Sequence, residues 1–187
     1  MKDKVNNKNG SVLLVLIIVI AVITTLGSTS LNIAITHFQI KKSYSDYKDA
    51  FYMSESGLSC AYINAYELTC EAAAQSLSKA DEYLSEYPDD EVGASNIFKN
   101  NYKSIITSMV NSKISSGLNP QIRILNNGTL NFANELLKIR VTSKYITESG
   151  IEKLTAADII ISVPDYIKTK SNITDFSSLI IQNNYDL

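Results

Sequence analysis

Residues 7–30 read NKNGSVLLVLIIVIAVITTLGSTS, a short polar leader set directly against an apolar run. Every residue from 12 to 23 is apolar, and the run continues to residue 35 with serines and threonines interspersed. As a helix, residues 11–35 extend about 37 Å, enough to cross a bilayer core of about 30 Å with some tilt. The stretch therefore predicts a membrane segment near the start of the chain.

Three interpretations of this stretch are open. The apolar run is preceded by three lysines, Lys2, Lys4 and Lys8. A secretory signal peptide cut on the far side of the run, within residues 25–30, fits this pattern, and so does an uncleaved single-pass anchor. The third interpretation places the cut on the near side, between Gly10 and Ser11, so that the whole apolar helix remains at the new N-terminus. The positive-inside tendency then leaves the N-terminus cytoplasmic and the body of the chain outside.

Helical periodicity continues far beyond the apolar run. One set of positions recurs at alternating steps of three and four residues, and almost all of them are apolar or aromatic. The set is Tyr44, Tyr47, Phe51, Ser54, Leu58, Ala61, Ala65, Leu68 and Ala72. No proline occurs before Pro88, so the pattern predicts one helix from about residue 11 to about residue 74, its second half packed on an apolar surface. Two helices with a break near residues 27–30 are the alternative.

The C-terminal part of the chain predicts strands. Runs rich in β-branched and aromatic residues occupy 121–125, 129–132, 136–146, 151–163 and 177–185. Turns are expected at 126–128 and 148–150. In β-strand alternation, Ile139, Val141, Ser143 and Tyr145 share one face, and Lys138, Arg140, Thr142 and Lys144 share the other. This pattern is typical of an antiparallel sheet with one wet face, and the helical stripe is the expected cover for the other face.

Histidine and cysteine are too scarce to support most catalytic chemistry. The chain has one histidine, His37, expected near a membrane interface, and two cysteines, Cys60 and Cys70. On one helix the cysteines would lie about 15 Å apart, beyond the roughly 7 Å that a disulfide spans between Cα atoms. Either the helix ends between them or both thiols are free. With a net charge of −2 and no basic patch, we expect no enzyme activity, no metal, no cofactor and no nucleic-acid partner.

Three stretches also carry a family resemblance. They are the seam GSVLL at 10–14, the region 27–30 after the apolar run, and AFYMSESGL at 50–58. The last is similar to a segment in which an aromatic residue precedes A-E-S/A-G-L in the type IV pilin-like proteins. The chain resembles that family over residues 8–66, and more narrowly the PilX-type minor pilins. This implies an α+β, pilin-like fold: a long N-terminal helix, half transmembrane, packed on a small C-terminal antiparallel β-sheet.

The resemblance also implies a processing and assembly route. A prepilin peptidase would cut after Gly10 on the cytoplasmic side, and the new amine of Ser11 would be N-methylated. The helix would hold the subunit in the cytoplasmic membrane, head outside, until inner-membrane assembly machinery moved it into an extracellular pilus. There the N-terminal helices of other pilins would cover the surface that lipid had covered.

One position departs from the family pattern. Major pilins carry a glutamate at the fifth mature position, and counting from Ser11 this position is Val15. In major pilins that buried carboxylate is thought to pair with the N-terminal amine of a neighbour, which Val15 cannot do. We therefore expect a minor pilin at the tip or in the assembly-priming complex. A membrane-anchored surface binding protein or adhesin that never joins a filament is the alternative.

The expected organisation has five parts. Residues 1–10 form the prepilin leader, 11–35 the transmembrane or filament-core half of the helix, and 36–74 its amphipathic half. Residues 75–120 form a helical and loop linker with a solvated acidic stretch, and 121–187 form the antiparallel sheet of the head.

Overall fold

The computed structural model describes residues 8–125 and 130–185, with side chains over 11–125 and 130–184. The chain divides into two compact units, Met1–Ser45 and Asp46–Leu187. The described elements are α1 (Lys8–Glu86), α2 (Glu91–Ile114), β1 (Gln121–Ile124), β2 (Leu136–Ile146), β3 (Glu152–Ser162), α3 (Tyr166–Lys170), a 3-10 turn (Phe176–Leu179) and β4 (Ile180–Tyr185). The expected α+β class is confirmed.

Helix α1 is continuous through both the apolar run and the periodic stripe. The alternative break near residues 27–30 does not occur. The helix ends about three turns later than predicted, because its buried stripe continues through Ser76 and Ala80. It stops where Tyr87 precedes Pro88, since the helical conformation is disfavoured for a residue that precedes proline.

The strands form one four-stranded antiparallel sheet in the order β1-β2-β3-β4. In the central hairpin, Leu136 pairs with Ser162 at the open end and Ile146 with Glu152 at the closed end. Gly150 in the connecting turn has φ +86°, a conformation that glycine adopts without a Cβ clash. The strands expected at 121–125, 136–146, 151–163 and 177–185 are thus confirmed, with β4 shorter than predicted.

The prediction of a strand at 129–132 was wrong. Over its described part, residues 130–132, the backbone is not in a strand. Leu130 instead joins the core and Phe132 packs against it. The chain then turns at Asn134 and Glu135, which both have positive φ, so the segment ends before it can pair as a strand. The turn expected at 126–128 lies outside the described residues.

The sheet buries the predicted face at most positions, but Thr142, predicted on the wet face, is also buried, and Tyr145, predicted on the buried face, is only half-buried. Ile139, Val141 and Ser143 on β2 are fully buried, whereas the neighbouring Lys138 and Arg140 are exposed. The buried strand residues share one core with the second part of α1, whose contribution is Leu58, Ala61, Ala65, Leu68, Ala72 and Ala73. The expected cover of the sheet by the long helix is therefore confirmed.

The first two residues of the helical stripe are not buried against the sheet. Tyr44 is 62% exposed and Tyr47 is 48% exposed, although both were expected on the covering face. Phe51, the next stripe residue, is half-buried, and full burial along the stripe begins at Ser54, whose side chain is small enough for close packing.

Helix α2 also packs against the core of the head. Its buried residues recur every four positions, and they are Ala94, Phe98, Tyr102, Ile106, Val110 and Ile114. The helix begins at Asp90, whose carboxylate accepts a hydrogen bond from the Gly93 amide at 2.8 Å, as an N-cap does. The region expected to be a helical and loop linker therefore carries a core helix, which its mostly polar sequence concealed.

Candidate functional site

The candidate site is the part of α1 at residues 11–40, called here the uncharged segment. No Asp, Glu, Lys or Arg occurs between Lys8 and Lys41. As a helix these residues extend about 45 Å, comparable to a bilayer with its headgroup regions. By length and composition, α1 is able to span a membrane.

The apolar side chains of the uncharged segment are exposed in every direction around the helix. Ile17, Ile18 and Val19 point about 100° apart, yet they are 60%, 54% and 46% exposed. The whole set of large apolar residues from Val12 to Ile40 lies between 46% and 69% exposed. A helix that is apolar all round is typical of a membrane span or of a helix enclosed by others. This surface therefore requires a cover that the chain itself does not supply over the described residues.

The threonines of the uncharged segment satisfy their hydroxyls within the helix. Each donates to a backbone carbonyl three or four residues earlier; they are Thr24, Thr25, Thr29 and Thr36. The Thr24 bond to Ile20 and the Thr36 bond to Asn32 are both 2.9 Å long. An unsatisfied polar group in hydrocarbon costs several kcal/mol, so these bonds make the threonine-bearing part compatible with apolar surroundings.

Among these bonds, only that of Thr36 lies beyond residue 35, the predicted end of the membrane half of the helix. Thr24, Thr25 and Thr29 lie within the predicted half, residues 11–35, where they interrupt the apolar run. A continuous helix places every threonine within reach of the carbonyl one turn back, which periodicity alone does not reveal. The first charged residues after the segment are Lys41 and Lys42, both exposed.

The three residues predicted to act in processing and assembly all lie on α1. Gly10 is within the helix, and Ser11 and Val15 lie one turn apart on the same face. Ser11 is exposed and Val15 is 55% exposed. Residues 1–7 of the predicted leader lie outside the described residues. The roles of Gly10, Ser11 and Val15 stay predictions.

In the head, Gly57 sets how closely α1 approaches the sheet. A Cβ placed on Gly57 would lie 2.1 Å from Ser143 Oγ and 3.1 Å from Pro120 Cβ. The Ser143 hydroxyl is buried, with no hydrogen-bond partner among the described residues. Gly57 belongs to AFYMSESGL, so this stretch has a physical role, because only glycine leaves room for β2 at that point.

A cation–π contact joins the start of β3, next to the β2–β3 turn, to the same helix. The Lys153 ammonium on β3 lies 5.7 Å from the ring centroids of both Tyr47 and Phe51. Cations at this distance from an aromatic face are attracted by the ring quadrupole. The two aromatic residues thus hold the β2–β3 hairpin side of the sheet to α1 without being fully buried.

Charged side chains of the head form small, separate ion pairs, and the fully buried Asp158 carboxylate pairs with both Lys138 and Arg140, at 2.7 and 2.9 Å. Over the described residues, no three His, Cys, Asp or Glu side chains are grouped closely enough to hold a metal ion. Tyr102 donates its hydroxyl to the Ser162 carbonyl at 3.1 Å, and burial raises the pKa of Tyr102. The neighbouring Cys70 thiol raises the pKa of Tyr66. Cys60 and Cys70 are free thiols, and the helix does not end between them.

Comparison of the chain with models of protein families, with curated proteins and with solved structures finds no match. The functional conclusion therefore rests on the uncharged segment and on the helix-covered sheet.

Proposed function

We propose that this protein is a minor pilin, a non-catalytic structural subunit of a type IV pilus, placed at the filament tip or in the assembly-priming complex. The observation that carries the proposal is the uncharged segment: 30 residues of α1 without a charged side chain, exposed all round. The same helix continues as the cover of a small antiparallel sheet. A helix built in this way supports a role in which its first part is covered by other molecules.

A pilin helix must be stable in two apolar surroundings in turn. It is held in lipid before assembly and enclosed by other helices afterwards. The uncharged segment suits both, because its threonine hydroxyls are satisfied internally and it carries no charge that either environment would have to pair. Moving from lipid to a helix bundle keeps its apolar area out of water, which is favourable by about 25 cal/mol per Å2 relative to exposure.

The proposed route follows from the N-terminal seam. A prepilin peptidase cuts after Gly10, the amine of Ser11 is methylated, and the head stays outside the cytoplasmic membrane. Inner-membrane assembly machinery then brings the helix against those of other pilins. The exposure of Ser11 on a helix supports an accessible new N-terminus.

Val15 supports a place at the tip instead of along the shaft. Its isopropyl group is 55% exposed on the same face as Ser11, where a glutamate would offer a partner to a neighbour's amine. A subunit without that carboxylate suits the filament tip, where its contacts with neighbouring subunits differ from those along the shaft. Immunogold labelling of purified filaments is expected to mark their ends, and regular labelling along the shaft would contradict this placement.

Mass spectrometry of the mature N-terminus tests the proposal directly. A chain that begins at Ser11 and carries one added methyl group is the expected result. An intact Met1 would favour the membrane-anchored surface protein that never joins a filament, and a start near residue 28 would favour a secreted protein.

A matched pair of glycine variants tests the cleavage site. Gly10→Ala is expected to abolish processing, whereas Gly27→Ala, inside the uncharged segment, is expected to mature normally. Both variants are compared by the mass of the membrane-fraction protein. Equal maturation of the two would remove the peptidase step from the proposal.

A further inference from the structure

The two edges of the sheet differ in how they are protected. Strand β1 is four residues long, follows Pro120, which has no N–H, and carries the exposed charge of Arg123. Its free side is also occupied, because the amides of Ser116 and Ile122 each donate to the other's carbonyl at 2.9 Å. Short length, proline, charge and a covering segment are the devices by which natural sheets prevent edge-to-edge pairing.

Strand β4 at the opposite edge has none of these devices. It is six residues long and reads IIQNNY, with no charged residue and no proline. Across residues 8–125 and 130–185, its backbone pairs with β3 alone. Ile181 is 51% exposed, and Asn183 and Asn184 are exposed as well.

An unprotected edge of this length is a template for another strand. Each residue added in an antiparallel pair brings about one further backbone hydrogen bond. A facing strand that carried a charge would place it beside the side chains of Ile181, Gln182 and Asn183, which offer no opposite charge. The best match is therefore an uncharged strand.

We propose that β4 pairs antiparallel with β4 of a second copy of this chain, which joins the two sheets across a two-fold axis. Such an interface is isologous, so the same strand serves both sides. Antiparallel pairing of IIQNNY with itself sets the amide side chains near Gln182 and Asn183 opposite one another, with no like charges facing. The inference rests on the sheet alone and does not depend on the proposed function.

Cysteine crosslinking of the full chain in detergent micelles tests the pairing. In a background with Cys60→Ser and Cys70→Ser, single cysteines are placed on β4 (Gln182→Cys or Asn183→Cys) or on β1 (Gln121→Cys or Arg123→Cys). Mild oxidation is expected to give disulfide-linked dimers from the β4 set and none from the β1 set. Association through the membrane helix alone would favour neither strand, so equal yields from both sets, or no dimer from β4, would overturn the proposal.

Hydrogen exchange of the wild-type chain provides a test that needs no substitution. Protection of the β4 amides is expected to rise with protein concentration, while that of the β2 and β3 amides stays constant. Asn183→Lys, which introduces like charges at the two-fold axis, is expected to abolish the concentration dependence, with an unchanged circular dichroism spectrum. Concentration-independent exchange in the wild type would show that β4 is not a self-pairing edge, and capture of a different protein there would overturn the choice of occupant.

Discussion

The two parts of helix α1, residues 11–45 and residues 46–86, use side chains in opposite ways. The large apolar residues of the first part are mostly Leu, Ile and Val, and these are exposed. The buried residues of the second part are mostly small: Ala50, Ser54, Gly57, Leu58, Ala61, Ala65, Leu68, Thr69, Ala72, Ala73, Ser76 and Ala80. Burial along this helix therefore follows the availability of a partner surface and not the hydrophobicity of the residue.

The comparison also separates two kinds of contact. Small side chains let the second part of α1 lie close to β2, and its stability comes from a shaped interface within the chain. Large side chains distributed all round the first part fit no single surface, but they suit a surrounding medium of lipid or of several helices. Substitutions that act on one part and leave the other unchanged can test this division.

The largest effect is expected from truncation of a buried leucine. Leu68→Ala removes a fully buried side chain from the core shared by α1 and the sheet, and large-to-small changes of this kind cost about 2–5 kcal/mol of unfolding free energy. Leu16→Ala, at a residue that is 54% exposed, is the matched control and is expected to leave the head's unfolding midpoint unchanged. Urea denaturation in detergent measures both, and equal losses in the two variants would break the comparison.

The next effect concerns membrane retention. Ile20→Lys places a charge in the middle of the uncharged segment, at a cost of about 3 kcal/mol for insertion into a bilayer. A larger share of the protein is then expected in the soluble fraction after alkaline extraction. Ile63→Lys, at a 53% exposed residue in the second part of the helix, is the control and is expected to stay membrane-bound. Full retention of the Ile20 variant would show that residues 11–40 are not the anchor.

A matched pair of glycines sharpens the comparison further. Gly57→Ala brings a methyl group against Ser143 and Pro120, and overpacking of this kind costs about 1–3 kcal/mol, partly offset by the better helix propensity of alanine. Gly27→Ala meets nothing within 4 Å, so only the propensity gain of up to about 1 kcal/mol remains. Thermal unfolding of the head is expected to fall in the first variant and not in the second. A stabilised Gly57 variant would mean that the helix can move away from the sheet at little cost.

The smallest effect is a pH dependence at the start of α2. The hydroxyl of Tyr83 donates to Asp90 Oδ2 at 2.6 Å, and this bond, followed by that from the Gly93 amide, lowers the pKa of Asp90 below its ordinary value of 3.8. Because the native pKa is the lower one, the associated stability is present above 3.8 and is lost as the pH falls through the native pKa.

Asp90→Asn is expected to flatten this acid dependence, and Tyr83→Phe to reduce it. Urea midpoints measured at successive pH values below neutrality provide the readout. An acid slope in the Asn variant identical to that of the wild type would assign the dependence to other carboxylates.

Much of this fold was predictable because its signals are periodic. The alternation in 136–146 predicted β2 with its correct bounds and the burial of Ile139, Val141 and Ser143, although Thr142 is buried as well. The steps of three and four predicted one helix over the sheet. Helix α2 was missed as a core element because one buried residue in four, from Phe98 to Ile114, is a sparse signal in a polar sequence. The strand at 129–132 was wrong because turn residues shortly after it end the segment.

The location of the candidate site was predictable, and its extent along α1 stays a prediction. The twelve apolar residues at 12–23 identified it from composition alone. The hydrogen bonds of Thr24, Thr29 and Thr36 to carbonyls one turn back were not readable from composition, because they exist only once the helix is continuous.

The sequence by itself determined that one segment of this protein is apolar all round and uncharged, because composition does not depend on tertiary contacts. It also determined the helix-then-strand order, because periods of 3.6 and 2 are local properties of the backbone. The tertiary structure alone decided that Gly57 lies against Ser143 and that one face of α1 within residues 50–80 is buried. It also decided that, among residues 8–125 and 130–185, nothing covers α1 before Lys41 and no backbone pairs with the outer edge of β4, whereas the outer edge of β1 is paired. Each of these depends on which distant residues meet, and contact between distant residues is set by packing and not by local pattern.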